Sequence, residues 1–137
     1  MKIDPDYLKK LLEGFESAPN PVTDIRYLKS VGFDYEDNLF IFHIAVLKDQ
    51  GLIEREGGKP GFGFVRSADG IPTWSVVPLR LTSHGHDFLE ALRNKEVWAT
   101  IKEHFKGGSI GTLVDLSKKL LESYTTKKLA QILEGGT

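Results

Sequence analysis

The sequence predicts a mostly helical α+β fold, and three observations carry that prediction. Apolar residues recur at helical spacing near both ends of the chain, from Leu8 to Phe15 and from Phe88 to Tyr124. Between them, a stretch rich in glycine and aromatic residues alternates apolar with small or polar positions and carries hairpin signals. The 137 residues are 40% hydrophobic and 27% charged, the balance of one globular domain, which excludes a disordered or collagen-like chain.

The elements follow in order. Asp4 is a good N-cap and Pro5 suits the first helical position of a helix that buries Leu8, Leu11, Leu12 and Phe15 and stops before Pro19-Asn20-Pro21. Thr23 is expected to cap a short second helix that faces Ile25 and Leu28 inward and ends at Gly32. Asp34 is expected to open a third helix that runs to Gln50 and closes on Gly51 in a left-handed C-cap. Leu52 to Glu56 read as a strand, Gly57-Gly58-Lys59-Pro60-Gly61 as a loop, and Asp69-Gly70 as a hairpin turn. Trp74, Val76, Leu79 and Leu81 belong to one returning strand, with Pro72 and Pro78 marking edges or bends.

From Thr82, an expected N-cap, the chain turns helical again, and Gly85 allows close approach to a neighbour. Phe88, Leu89 and Leu92 mark one helix; Val97, Trp98, Ile101 and Phe105 mark the next, which ends at Gly107-Gly108. Ser109 is expected to cap a helix with Ile110, Leu113, Leu120, Leu121 and Tyr124 on its broad apolar face. A separate short helix is expected near Lys127 to Leu133, ending in Gly135-Gly136. Three helices, a β-hairpin wing and further C-terminal helices make a winged helix-turn-helix arrangement. Residues 1–93 form the winged-helix domain and residues 94–137 a helical extension packed on it or on a partner subunit, as one structural unit.

Two stretches carry a resemblance. Phe-His-Ile-Ala-Val-Leu-Lys-Asp-Gln-Gly-Leu-Ile (Phe42 to Ile53) is similar to the end of a winged-helix third helix and the first wing strand. Leu-Arg-Leu-Thr-Ser-His-Gly-His-Asp-Phe-Leu-Glu-Ala-Leu-Arg (Leu79 to Arg93) is similar to the second wing strand and the helix after it. Together with Glu96-Val97-Trp98 and the opening Met-Lys-Ile-Asp, the chain resembles a bacterial and prophage-associated family known as domain of unknown function 2513. The resemblance implies the fold and hands over no catalytic or binding residue.

A DNA-reading third helix presents polar or basic side chains outward. Here Phe40, Ile44 and Leu47 are the expected inward positions, and Ile41, Phe42, His43, Ala45 and Val46 the outward ones, of which only His43 is polar. Leaving Ile41, Phe42 and Val46 in water forgoes about 1.5–3 kcal/mol for each large side chain, so a cover is expected. Candidates are the chain's own late helices, with Trp98, Leu113, Leu120 and Leu121, or a second subunit in a two-fold dimer. Asp34, Glu36 and Asp37 sit where phosphates would approach, while Lys48 is the lone cation between Asp34 and Gln50. These acids complement the helix dipole and repel a phosphate backbone.

Charge over the whole chain points the same way, with 18 Lys+Arg against 19 Asp+Glu and a net charge of -1. The better candidate for nucleic acid is the wing, where Arg55, Lys59, Arg66 and Arg80 outnumber Glu54, Glu56 and Asp69 by one. Lys118-Lys119 and Lys127-Lys128 read as the polar sides of helices.

Chemistry is not expected. Cysteine is absent, which removes disulfides, thiolate catalysis and Cys-ligated zinc. His84 and His86 lie two apart on a helix and diverge, with no third ligand at supporting spacing, so no metal is expected. Gly61-Phe62-Gly63-Phe64 lacks the helix and Lys-Ser/Thr of a phosphate loop, and no Ser/His/Asp constellation stands out. His43 reads as a hydrogen-bonded core histidine and His104 as a surface residue. The reading is a non-catalytic, cofactor-free cytoplasmic protein without a membrane segment or a small-molecule substrate. Two functions fit: a DNA-associated transcriptional regulator of prophage or mobile-element type that contacts double-stranded DNA through the wing, or a module for protein interaction or homodimerisation that reads no DNA.

Overall fold

The computed structural model describes residues 1–135. Among them are six helices and four short strands: α1 (Pro5–Glu16), α2 (Ile25–Ser30), α3 (Asn38–Asp49), β1 (Ile53–Arg55), β2 (Phe64–Arg66), β3 (Pro72–Trp74), β4 (Leu79–Leu81), α4 (Ser83–Arg93), α5 (Lys95–His104) and α6 (Ile110–Gly135). The fold is mostly helical α+β.

Local chemistry sets the helix ends. The Asp4 carboxylate accepts the Tyr7 N–H at 3.2 Å, with Pro5 in the first turn. The cap of α2 is Asp24 and not Thr23: its Oδ1 accepts the N–H groups of Arg26 at 2.8 Å and Tyr27 at 3.2 Å. Thr23 is instead committed to a β-bridge with Leu79, exchanging backbone hydrogen bonds of 2.7 and 2.8 Å. Helix α3 begins at Asn38, later than expected. Asp34 folds the preceding residues into a turn, its carboxylate accepting the Glu36 N–H at 2.9 Å and its carbonyl the Asp37 N–H at 3.1 Å. At the other end Gly51 takes a φ of +69°, and the Leu52 N–H returns to the Leu47 carbonyl at 2.9 Å, as the expected left-handed C-cap requires.

The ribbon is longer and more divided than one hairpin. β1 pairs antiparallel with β4, Ile53 opposite Leu81, and β2 pairs antiparallel with β3, Phe64 opposite Trp74. The two ladders are nested, giving an inner pair rooted in the core and an outer pair on an arm. The single returning strand expected from Trp74 to Leu81 is broken at residues 75–78, where Val77 turns into the core and Pro78 lacks a ladder donor. The arm tip closes at Ser67 to Ile71, with the Gly70 N–H on the Ser67 carbonyl at 2.8 Å.

Thr82 caps α4 as expected, accepting the Gly85 N–H at 3.1 Å while its hydroxyl donates to the Gly51 carbonyl at 2.6 Å. One side chain therefore ties the end of α3 to the start of α4. Gly85 lies so close to β1 that a Cβ there would sit 2.0 Å from the Leu52 carbonyl oxygen. The late helices contain the largest departure from expectation. Instead of a Ser109-capped helix and a second short one, α6 runs unbroken from Ile110 to Gly135. Ser109 does accept the Thr112 N–H, at 3.1 Å; Gly136, expected at a helix end, lies outside the described residues. No proline interrupts the stretch, and extending an existing helix carries no new nucleation cost, so the polar run from Glu122 to Lys128 continues it.

One core joins these parts. It runs from Leu8, Leu11 and Leu12 of α1 through Phe40, Ile44 and Leu47 of α3 to Leu89 and Leu92 of α4, and on to Ile101 and Leu113.

Candidate interaction surfaces

The inward positions of α3 are as expected, with Phe40, Ile44 and Leu47 fully buried. The outward positions do not share one surface. His43 is fully buried: the Asp4 N–H donates to its Nε2 at 2.9 Å, and its Nδ1 lies 2.8 Å from the Leu39 carbonyl. Nδ1 therefore carries the proton and the ring is neutral. Burial pushes the imidazole below its ordinary value of 6.5, against the weaker opposing pulls of the Leu39 carbonyl and the Asp4 charge. Tyr7 packs 4.8 Å from that ring, and its phenol is pushed up to about 12, first by burial and then by the charge of Asp37.

Ile41 faces the arm. It lines a hollow of about 610 Å³ with Arg26, Glu36, Trp74 and Val76. The arm folds back here, because the Trp74 indole donates to the Tyr35 carbonyl at 2.8 Å and its ring lies 5.9 Å from Phe40 and 5.0 Å from Phe64. The start of α3 is thus screened on one side by an aromatic cluster and fronted by Asp34, Glu36 and Asp37.

Phe42 and Val46 open on the other side. With Ile3 and Ile110 they line a groove of about 500 Å³ between the first residues, α3 and the α5–α6 turn. Lys2 and Lys106 stand at its edge, and among the described residues no carboxylate lines it.

The late-helix positions divide as well. Leu113, expected as interface, is fully buried in the chain's own core and has no surface left for a partner. Leu120 is half-buried against that core, and Leu121 borders a separate groove between α4 and α6. What the late helices bring to the outward side of α3 is the α5–α6 turn and Ile110, which share the groove with Phe42 and Val46.

The four ribbon cations also part company. Arg80 is spent on Glu54, its cross-strand neighbour, at 2.8 Å. Arg55 is half-buried, and its Nε is enclosed without a hydrogen-bond partner. Arg66 is exposed and leans over the Phe64 ring at 5.2 Å, and Lys59 is exposed on the loop. Of the four, Lys59 and Arg66 are the two that stand exposed. Sequence reasoning missed Trp74 as the arm's clasp, since its partner Tyr35 is 39 residues away and only the spatial fold brings them together.

Among the described residues no group of three or more His, Asp or Glu side chains could hold a metal ion. His84 and His86 are both exposed on the first turn of α4. No described helix is long and apolar enough to cross a membrane.

Fold and surfaces define a mostly helical α+β protein with a folded-back β-arm and a groove on each side of its third helix. The chain belongs to the family described as "Hypothetical protein (DUF2513)", whose profile matches residues 2–111. It is also similar to an "Uncharacterized protein" of Haemophilus influenzae, 25% identical over 130 residues, covering 95% of this chain and 100% of that protein. No solved structure matches the chain.

Proposed function

We propose that this protein is a non-catalytic winged-helix module whose third helix serves protein contacts in place of base readout. The observation that carries the reading is the closure of α3. Trp74 clasps the arm over its N-terminal half through the Tyr35 carbonyl, leaving Phe42 and Val46 in a groove rimmed by Lys2 and Lys106. A helix in that setting cannot lie in a major groove without first releasing the arm, and three acids front its approach. The groove suits a partner segment that sets an apolar side chain beside a carboxylate, the first filling the space between Phe42 and Val46 and the second meeting the lysines.

The test has two parts. Anisotropy of a labelled random duplex is expected to show no binding that collapses between about 50 mM and about 200 mM salt; such a collapse would overturn the reading. A short peptide combining leucine and aspartate, titrated into isotopically labelled protein, is expected to shift the amides of Phe42, Val46 and Ile110. Unmoved amides there count against the groove.

A second reading, a DNA-associated regulator, is favoured by the exposure of Lys59 and Arg66 on the arm. Under it, duplex binding is salt-dependent and the Lys59→Glu/Arg66→Glu variant loses it. Arg80 adds nothing to that contact while it holds Glu54.

A further inference from the structure

The last turns of α6 project beyond the body. Every described residue from Thr125 onward is exposed, and Leu129, Ile132 and Leu133 are 54%, 59% and 67% exposed. Their helical phase is informative. At about 100° per residue, the face that α6 packs on the body, through Leu113, Ser117 and Tyr124, continues into Lys128 and Gln131. Leu129, Ile132 and Leu133 are centred about a third of a turn away, so a straight helix holds them off its own body.

That same phase is occupied at the other end of α6 by an open groove of about 370 Å³ against α4. Its floor is apolar, made by Phe88, Ala91, Val114 and Leu121. Its rim holds Asp87, Glu90, Asp115 and Glu122, against Lys118 and His84. Lys127 and Lys128 lie off this face and line a hollow with Asn94 and Glu96 at the junction of α4 and α5. One end of the face thus offers projecting apolar side chains, and the other an open apolar floor of the same helical phase.

We infer that a second copy of this chain covers the face, through antiparallel pairing of α6 with its symmetry mate about a two-fold axis beside Thr125. A closed two-fold contact requires each contact to occur twice, residue i on j and j on i. Antiparallel α6 helices satisfy this, because the Leu129–Leu133 end of each copy lands on the Val114–Glu122 groove of the other. The axis then falls midway, at Thr125, which lies on the same face. The pairing brings Leu129 near Leu121, in both halves at once.

The chain has no cysteine, so a single introduced thiol reports on the axis cleanly. Light scattering on the full chain is expected to give twice the monomer mass. Thr125→Cys is expected to form a disulfide-linked dimer under mild oxidation, and Ser123→Cys, on another face of the same turn, to stay reduced. Leu129→Asp/Ile132→Asp alters exposed positions, and the variant is expected to keep the wild-type circular dichroism and run as a monomer. A monomeric wild type at about 100 μM, a dimer that survives the double substitution, or cross-linking through Ser123→Cys in preference to Thr125→Cys would each overturn the inference.

Discussion

His43 shows how a single side chain can be legible in kind and misplaced in space. An isolated polar residue in an apolar helix reads correctly as a hydrogen-bonded core histidine, yet simple helical spacing puts it outward. The difference is the Asp4 N–H, 39 residues away, which closes over the ring from the chain's opening residues. Removing the imidazole in His43→Ala orphans that donor and opens a cavity beside Tyr7. The expected loss is about 2–3 kcal/mol in urea unfolding. Its titration has a definite direction. The unfolded chain takes up a proton near the ordinary value of 6.5, whereas burial holds the folded ring neutral to lower pH. Stability present above about pH 6.5 is therefore lost as pH falls through the window below it. Melting temperature should drop from about pH 7 to about pH 5.5 in the wild type and less steeply in His43→Ala. Gly85 was fully legible: close approach was expected, and the Leu52 carbonyl is there. Gly85→Ala must push α4 off β1, with an expected cost of about 3 kcal/mol by the same assay.

At the scale of elements, the sequence is legible wherever local chemistry decides. Asp4 with Pro5, Gly51 and Thr82 are caps whose partners lie within a few residues, and all are found in place. Thr23 failed as a cap because Asp24 beside it is the stronger acceptor and β4 claimed the threonine backbone. Apolar spacing lapses between Tyr124 and Leu129, which reads as two helices in the sequence, yet a lapse in pattern does not break a helix that lacks proline. The arm's folding back is illegible, since it depends on contacts of Trp74 with Tyr35 and Phe40 around the start of α3 and with Phe62 of the loop before β2. Trp74→Ala should release it. Limited proteolysis is expected to cut between Glu56 and Val76 at least tenfold faster in the variant, with the helical circular dichroism retained. Equal rates would mean that the clasp does not hold the arm.

The whole molecule is bound together more tightly than its succession of elements suggests. Arg93 of α4 grips Glu16 of α1 with two hydrogen bonds, one of 2.9 Å, and that grip holds the Glu16 carboxyl below its usual range. Lys102 of α5 pairs with Asp6 of α1, and Lys9 lies 4.4 Å from the centre of the Trp98 ring. Because Leu8, Leu89, Ile101 and Leu113 belong to one apolar cluster, thermal unfolding followed by tryptophan fluorescence and by far-ultraviolet circular dichroism should give coincident transitions. Two separated transitions would mean that the late helices melt apart from the rest. Surfaces were the least legible part of this protein. Hydrophobic pattern marked Ile41, Phe42, Val46 and Leu121 as needing cover, but it could not reveal that they border three different hollows.

The bridge between Thr23 and Leu79 has a consequence for how this molecule meets others. β4 is hydrogen-bonded to β1 on one side and to Thr23 on the other, so a short tether borrowed from before α2 occupies the free flank of the strand. A foreign strand seeking to zip onto the ribbon at that flank finds the Leu79 N–H and carbonyl already taken, which shortens the edge left for molecules to stack upon.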